Sequence, residues 1–120
     1  NLVTDLPDEQ VVNMDQTMIS RVIDNLIRNA VEAMPEGGVL RVVMEVENNM
    51  FDLIVEDTGV GISAEDIQNI FQPFYTTKSS GTGLGLYYTK LAIKSHGGKI
   101  VFKSEEGKGT SFHIRLPITG

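Results

Sequence analysis

The sequence predicts an α+β domain in which about three helices cover one face of a mixed sheet. Three features lead there. A long run carries apolar residues at helical spacing, two pairs of strand-like runs each flank a turn-forming sequence, and a second helical run lies between the pairs. The resulting order is helix, two strands, helix, loop, helix, two strands.

Val11 to Met14 reads as a short strand, and Asp15 has the side chain of an N-cap. Between Asp15 and Met34, the residues Ile19, Val22, Ile23, Leu26, Ile27, Ala30 and Met34 form one apolar stripe, ended by Pro35 and Gly37-Gly38. Val39 to Glu47 and Met50 to Glu56 are strand-like, and Asn48-Asn49 joins them as a hairpin. Ser63, with Asp66 three residues on, is a capping-box-like start for a short helix to about Ile70. Phe71 to Gly83 contains Pro73, Gly81 and clustered hydroxyl residues, which is loop composition. Helical spacing returns from Leu84 to Ser95 and stops at Gly97-Gly98. Lys99 to Ser104 and Thr110 to Leu116 alternate as strands around the turn Glu105 to Gly109.

With 120 residues, 41% of them apolar, the chain suits one domain spanning 1–120. A formal net charge of -6 without any block of Lys or Arg argues against a nucleic-acid or anionic-membrane surface. A polyanionic ligand would need a metal and backbone N–H groups. No Cys is present, so disulfides and thiolate metal sites are excluded. No apolar run approaches the roughly 18 residues of a membrane span and no signal peptide opens the chain, which leads to the expectation of a soluble, cytoplasmic domain. A first residue other than Met hints at a piece of something longer.

Four constellations carry chemistry. At about 100° per residue, Asn25, Asn29 and Glu32 fall on one helix face opposite the apolar stripe. Their oxygens are hard ligands suited to Mg²⁺ held jointly with phosphates; the alternative is a solvated polar face. Asp57 ends the second strand and precedes Thr58-Gly59-Val60-Gly61. A carboxylate there can accept from the exocyclic amine of adenine, where guanine presents a carbonyl, or can merely close an Asx turn. Gly81-Thr82-Gly83-Leu84-Gly85-Leu86 opens the later helix, where successive N–H groups and the helix dipole favour an anion, although glycine-rich loops before helices are common. Its spacing fits neither a P-loop nor a dinucleotide fingerprint. Lys78 lies just upstream, placed to offset phosphate charge or to be an ordinary surface lysine.

Together these segments resemble the catalytic and ATP-binding domain of two-component sensor histidine kinases, within the superfamily shared with DNA gyrase, the HSP90 chaperone and MutL. Asn25 to Met34 looks like the N box, Glu56 to Ile62 the G1 box, Phe71 to Lys78 the F box, Gly81 to Leu86 the G2 box, and Gly107 to Pro117 the last glycine box with its strand. The wording is similar to the nitrogen-regulation and oxygen-sensing kinases.

The resemblance implies a two-layer α/β sandwich of the Bergerat type, binding ATP between the helices and a lid at Phe71 to Gly83. It implies that Asn29 ligates Mg²⁺ with Asn25 assisting, that Asp57 holds the adenine amine, and that Gly59 and Gly61 shape the base pocket. Gly81, Gly83 and Gly85, with Thr82, Leu84, Leu86 and Lys78 beside them, would hold phosphate, and Thr110 would back Asp57 through water. Many of these kinases carry Lys at the position of Glu32, so its role stays open. Gyrase, HSP90 and MutL place a general-base Glu where this chain has Asn25, and an amide takes no proton at neutral pH. The γ-phosphoryl group is therefore expected to go to a histidine on a separate dimerisation domain, N-terminal to Asn1, and onward to a response regulator. His96 and His113, the two histidines of the chain, are expected to be structural. Phe71, Phe74 and Tyr75 are candidates to dock on that domain, with local packing the alternative for the two phenylalanines. The domain alone is expected to be a monomer unable to label itself. An ATP-hydrolysing conformational clamp and a non-catalytic nucleotide-binding module are the competing readings.

Overall fold

The structure is a computed structural model that describes residues 2–5, 16–72 and 85–117. Its strands are β1 (Leu2–Asp5), β2 (Leu40–Glu47), β3 (Met50–Asp57), β4 (Lys99–Glu105) and β5 (Gly109–Pro117). Its helices are α1 (Gln16–Glu32), α2 (Ala64–Ile67) and α3 (Gly85–Ser95). The sheet runs β1-β2-β3-β5-β4. Because β1 is parallel to β2 while the remaining pairs are antiparallel, the sheet is mixed, as the sequence predicts. β1 was not anticipated, and the expected strand at 11–14 lies outside the described residues, as does the proposed cap Asp15.

Side-chain alternation builds the inner face. Phe51, Leu53 and Val55 of β3 and Phe112, Ile114 and Leu116 of β5 are buried, while their neighbours Asp52, Ile54, His113 and Arg115 face the other way. Against that face pack Met18, Ile19, Val22, Leu26 and Ala30 of α1, together with Ala92 and Ile93 of α3. Each fully buried aliphatic contributes about 1.5–3 kcal/mol relative to exposure. This apolar contact holds α1 and α3 over the strands. The helical layer was predicted from the same stripe that is now seen buried.

Local chemistry fixes the ends. α1 stops two residues before the expected Met34, and Gly37 and Gly38 then take positive φ. Asn48 and Asn49 both have φ above zero, which matches the twist of a two-residue hairpin turn and pairs Glu47 with Met50. Ser63 caps α2 by accepting from the Asp66 amide at 3.2 Å. α2 is one turn only, ending at Ile67 rather than near Ile70. At the end of α3, Gly97 is left-handed, and its N–H donates to Lys94 while that of Gly98 donates to Ile93, a Schellman closure. Among the described residues no helix is long and apolar enough to cross a membrane.

Candidate functional site

Of the predicted site residues that the structure describes, Asp57 and Thr110 fall at one end of the inner sheet face, Asn25, Asn29, Gly85 and Leu86 on α1 and α3, and Gly59 and Gly61 in the loop after β3. Asp57 is the last residue of β3 and lies opposite Leu40 on one side and Thr110 on the other. Residues opposite each other on neighbouring strands share a face, and Phe51, Leu53 and Val55 define that face as the helical side. Asp57 and Thr110 are therefore neighbours beneath the helices. Oδ1 of Asp57 accepts from the Gly59 amide at 2.8 Å, so the Asx turn foreseen as an alternative does form. A carboxylate has two oxygens, so this bond orients the group without exhausting it.

The segment after Asp57 is stitched to three other parts of the chain. Thr58 Oγ1 accepts from the Val39 amide at 3.0 Å and donates to the sulfur of Met34 at 3.7 Å. The Val60 amide donates to the Ala33 carbonyl just past α1, and the Val60 carbonyl accepts from Gly107 in the β4–β5 turn. The Ile62 amide donates to Ser104 Oγ at 2.8 Å. Crowding explains the glycines. A Cβ at Gly59 would stand 2.3 Å from the Ala33 carbonyl oxygen, one at Gly61 2.2 Å from that of Glu105, and one at Gly109 2.1 Å from that of Asp57. Gly59 and Gly61 thus let backbone meet backbone.

On α1, Asn25 and Asn29 are half-buried and Glu32 is exposed, in keeping with one polar face. Asn25 Nδ2 donates to the Gly85 carbonyl at 3.3 Å, and the hydroxyl of the fully buried Thr89 donates to the same oxygen at 2.9 Å. The amide on α1 is thereby tied to the first residue of α3. Leu86 packs against the core from the next position. Arg28 pairs with Asp24 at 2.8 Å. Lys78, Gly81, Thr82, Gly83 and Leu84 lie outside the described residues, as do Phe74 and Tyr75. Phe71 lies edge-on to Phe102 and Phe112, with centroids 5.6 Å and 6.4 Å away, so it packs locally.

Both histidines have partners. His96 Nδ1 meets the Ala92 carbonyl at 2.8 Å, and His113 Nε2 meets Asp52 Oδ1 at 2.9 Å on the outer sheet face. Among the described residues no group of three or more His, Cys, Asp or Glu is placed to hold a metal. Sequence reasoning gave no role to Thr89 or Ser104, and named Thr58 and Gly109 only as members of boxes. Their contacts depend on which strands and turns meet, and only the spacing of Gly107 and Gly109 before Thr110 carried a signal.

Comparison with known proteins agrees with this arrangement. The family model described as histidine kinase-, DNA gyrase B-, and HSP90-like ATPase matches residues 14–120. Sporulation kinase E of Bacillus subtilis (strain 168) is 39% identical over 119 residues, covering 98% of this chain and 16% of that protein. Sensor histidine kinase WalK of the same organism is 40% identical over 124 residues, covering 96% of this chain and 20% of that protein. The chain thus spans about a fifth or less of these two relatives. A nucleotide-free catalytic domain of histidine kinase ThkA superposes with a TM-score of 0.79 at 37% identity, over 98% of this chain and 77% of that one. The inner-face carboxylate, the amide-bearing helix and the matching topology lead to one conclusion: the chain belongs to the histidine kinase-, DNA gyrase B- and HSP90-like ATPase family, on its histidine-kinase branch.

Proposed function

We propose that this domain binds ATP with Mg²⁺ and delivers the γ-phosphoryl group to a histidine on a separate dimerisation domain, in the cytoplasm, for onward passage to a response regulator. Asn29 and Asn25 would hold the metal, a fit supported by two half-buried carboxamide residues on one helix face. Held there, the metal would supply charge neutralisation for the phosphate oxygens. Asp57, oriented by the Gly59 amide, would accept from the adenine amine, with Gly59 and Gly61 shaping the loop and Thr110 beside it. Lys78 and the run Gly81, Thr82, Gly83, Leu84, Gly85 and Leu86 would hold the phosphates. In the transfer, the bond from the γ-phosphorus to the β-bridging oxygen breaks as a bond to imidazole nitrogen forms. ADP leaves with the electron pair, and the imidazole proton goes to solvent.

The observation that carries this reading is the state of Asn25. Its nitrogen is engaged with the Gly85 carbonyl, and an amide cannot serve as base for water. The phosphoryl group thus awaits a better nucleophile; of the two histidines here, His96 meets the Ala92 carbonyl within α3 and His113 stands on the opposite face of the sheet from Asp57. The experiment is calorimetric titration with ATP and Mg²⁺ of wild type, Asp57→Asn and Asn29→Ala, followed by addition of a helical domain bearing an acceptor histidine. Binding by wild type, weakening of about tenfold or more in each variant, and label on the added domain are expected. Unchanged affinity in both variants overturns the assignment.

A further inference from the structure

We propose that Ser104 is a positioning residue that makes the Asp57 end of the site accept hydrogen bonds only, and so sets its choice of base. The inference rests on the reading of Asp57 as the adenine contact. A serine hydroxyl has one hydrogen and two lone pairs. Among the described residues three groups meet that of Ser104: the Ile62 amide at 2.8 Å, the Gly109 carbonyl at 3.2 Å and Thr110 Oγ1 at 2.8 Å. The amide can only donate and the carbonyl can only accept. Satisfying all three contacts therefore sends the serine hydrogen to Gly109 and requires Thr110 to donate its own hydrogen to Ser104.

Thr110 is then left with lone pairs alone, and it is the cross-strand partner of Asp57 on the inner face. A carboxylate also offers nothing but lone pairs. The two neighbours present acceptors to whatever enters, whether directly or through one water. A water shared by both would give each a hydrogen and turn its own lone pairs outward. A purine amine at position 6 suits such a surface, and a 6-oxo group does not. Ser104 lies on β4 and needs no contact with the base to impose this polarity.

The test compares ATP with inosine triphosphate, whose ring carries an oxo group at position 6, by calorimetry in Mg²⁺ with wild type, Ser104→Ala, Ser104→Thr and Thr110→Val. In wild type, ATP binds more tightly than inosine triphosphate. In Ser104→Ala the Thr110 hydroxyl can rotate and donate, so the affinity ratio falls about five- to tenfold, mainly through tighter inosine triphosphate binding. Ser104→Thr keeps the hydroxyl and restores the ratio. Thr110→Val, which leaves Ser104 in place, weakens ATP while sparing inosine triphosphate, and this holds even if Ser104→Ala does not fold. Equal loss of both nucleotides in Ser104→Ala, or in Thr110→Val, overturns the proposal and leaves Ser104 a structural residue. A wild type with no preference for ATP instead sinks the reading of Asp57 itself.

Discussion

Gly59 gives the most direct test of how the loop after β3 is held. It is not among the glycines with positive φ, so alanine would suffer no backbone penalty of its own there. Space is the obstacle. The new Cβ would sit 2.3 Å from the Ala33 carbonyl oxygen, 2.7 Å from its carbon and 2.8 Å from its side chain. Two of these three are backbone atoms at the end of α1 and cannot swing aside. The loop must back away, breaking the bond from the Val60 amide to Ala33 at 2.9 Å. Overpacking costs about 1–3 kcal/mol and the lost hydrogen bond about 1 kcal/mol, for a total of about 2–4 kcal/mol. For a domain of this size that lowers the melting temperature by about 8–16 °C. Because the Gly59 amide also orients Asp57, ATP affinity should fall with it. Gly107→Ala is the control: nothing lies within 4 Å of its Cβ, but φ is +85°, so the cost is a conformational one of about 1 kcal/mol without displacement of Asp57. Thermal denaturation and ATP titration of both variants decide the matter. If Gly59→Ala melts within about 2 °C of wild type and holds ATP equally well, the crowding argument is wrong.

Leu26→Ala removes a side chain only 1% exposed from the α1–sheet contact and should cost about 2–5 kcal/mol in urea denaturation; a loss below 1 kcal/mol would contradict the packing. His96→Gln and His113→Gln, singly and together, should leave phosphotransfer to a supplied acceptor domain unimpaired, since both rings serve local contacts with Ala92 and Asp52. Radiolabel from γ-labelled ATP measures this, and loss of label in a folded variant would restore a histidine of this chain as a candidate.

Much of the fold was legible because its signals are local. The α1 stripe, the Asn48-Asn49 hairpin, the Ser63 cap and the Gly97-Gly98 stop each depend on residues a few positions apart, and each appears in the structure. β1 escaped because a strand of four residues pairs with β2 far along the chain, a contact that periodicity does not reveal. The adjacency of β3 and β5 escaped periodicity for the same reason, and the neighbourhood of Asp57 and Thr110 was expected only through the family resemblance. Type and spacing drew attention to Asn25, Asp57 and the glycines, but not to what they touch. Ser104 looked like any alternating strand residue. Its three partners come from the loop after β3 and from the hairpin it belongs to, so only the assembled register brings them together.

The tight turn at Asn48 and Asn49 has a reach beyond its own two residues. It sets the register in which β3 meets β2, and Asp57 is the farthest residue of β3 from it. Side chains alternate strictly, so a slip of one residue in that register would carry Phe51, Leu53 and Val55 out of the core together with Asp57, and their burial opposes it. The side of the sheet on which Asp57 stands is thus held in part from a corner at the other end of its strand, where two asparagines take the turn.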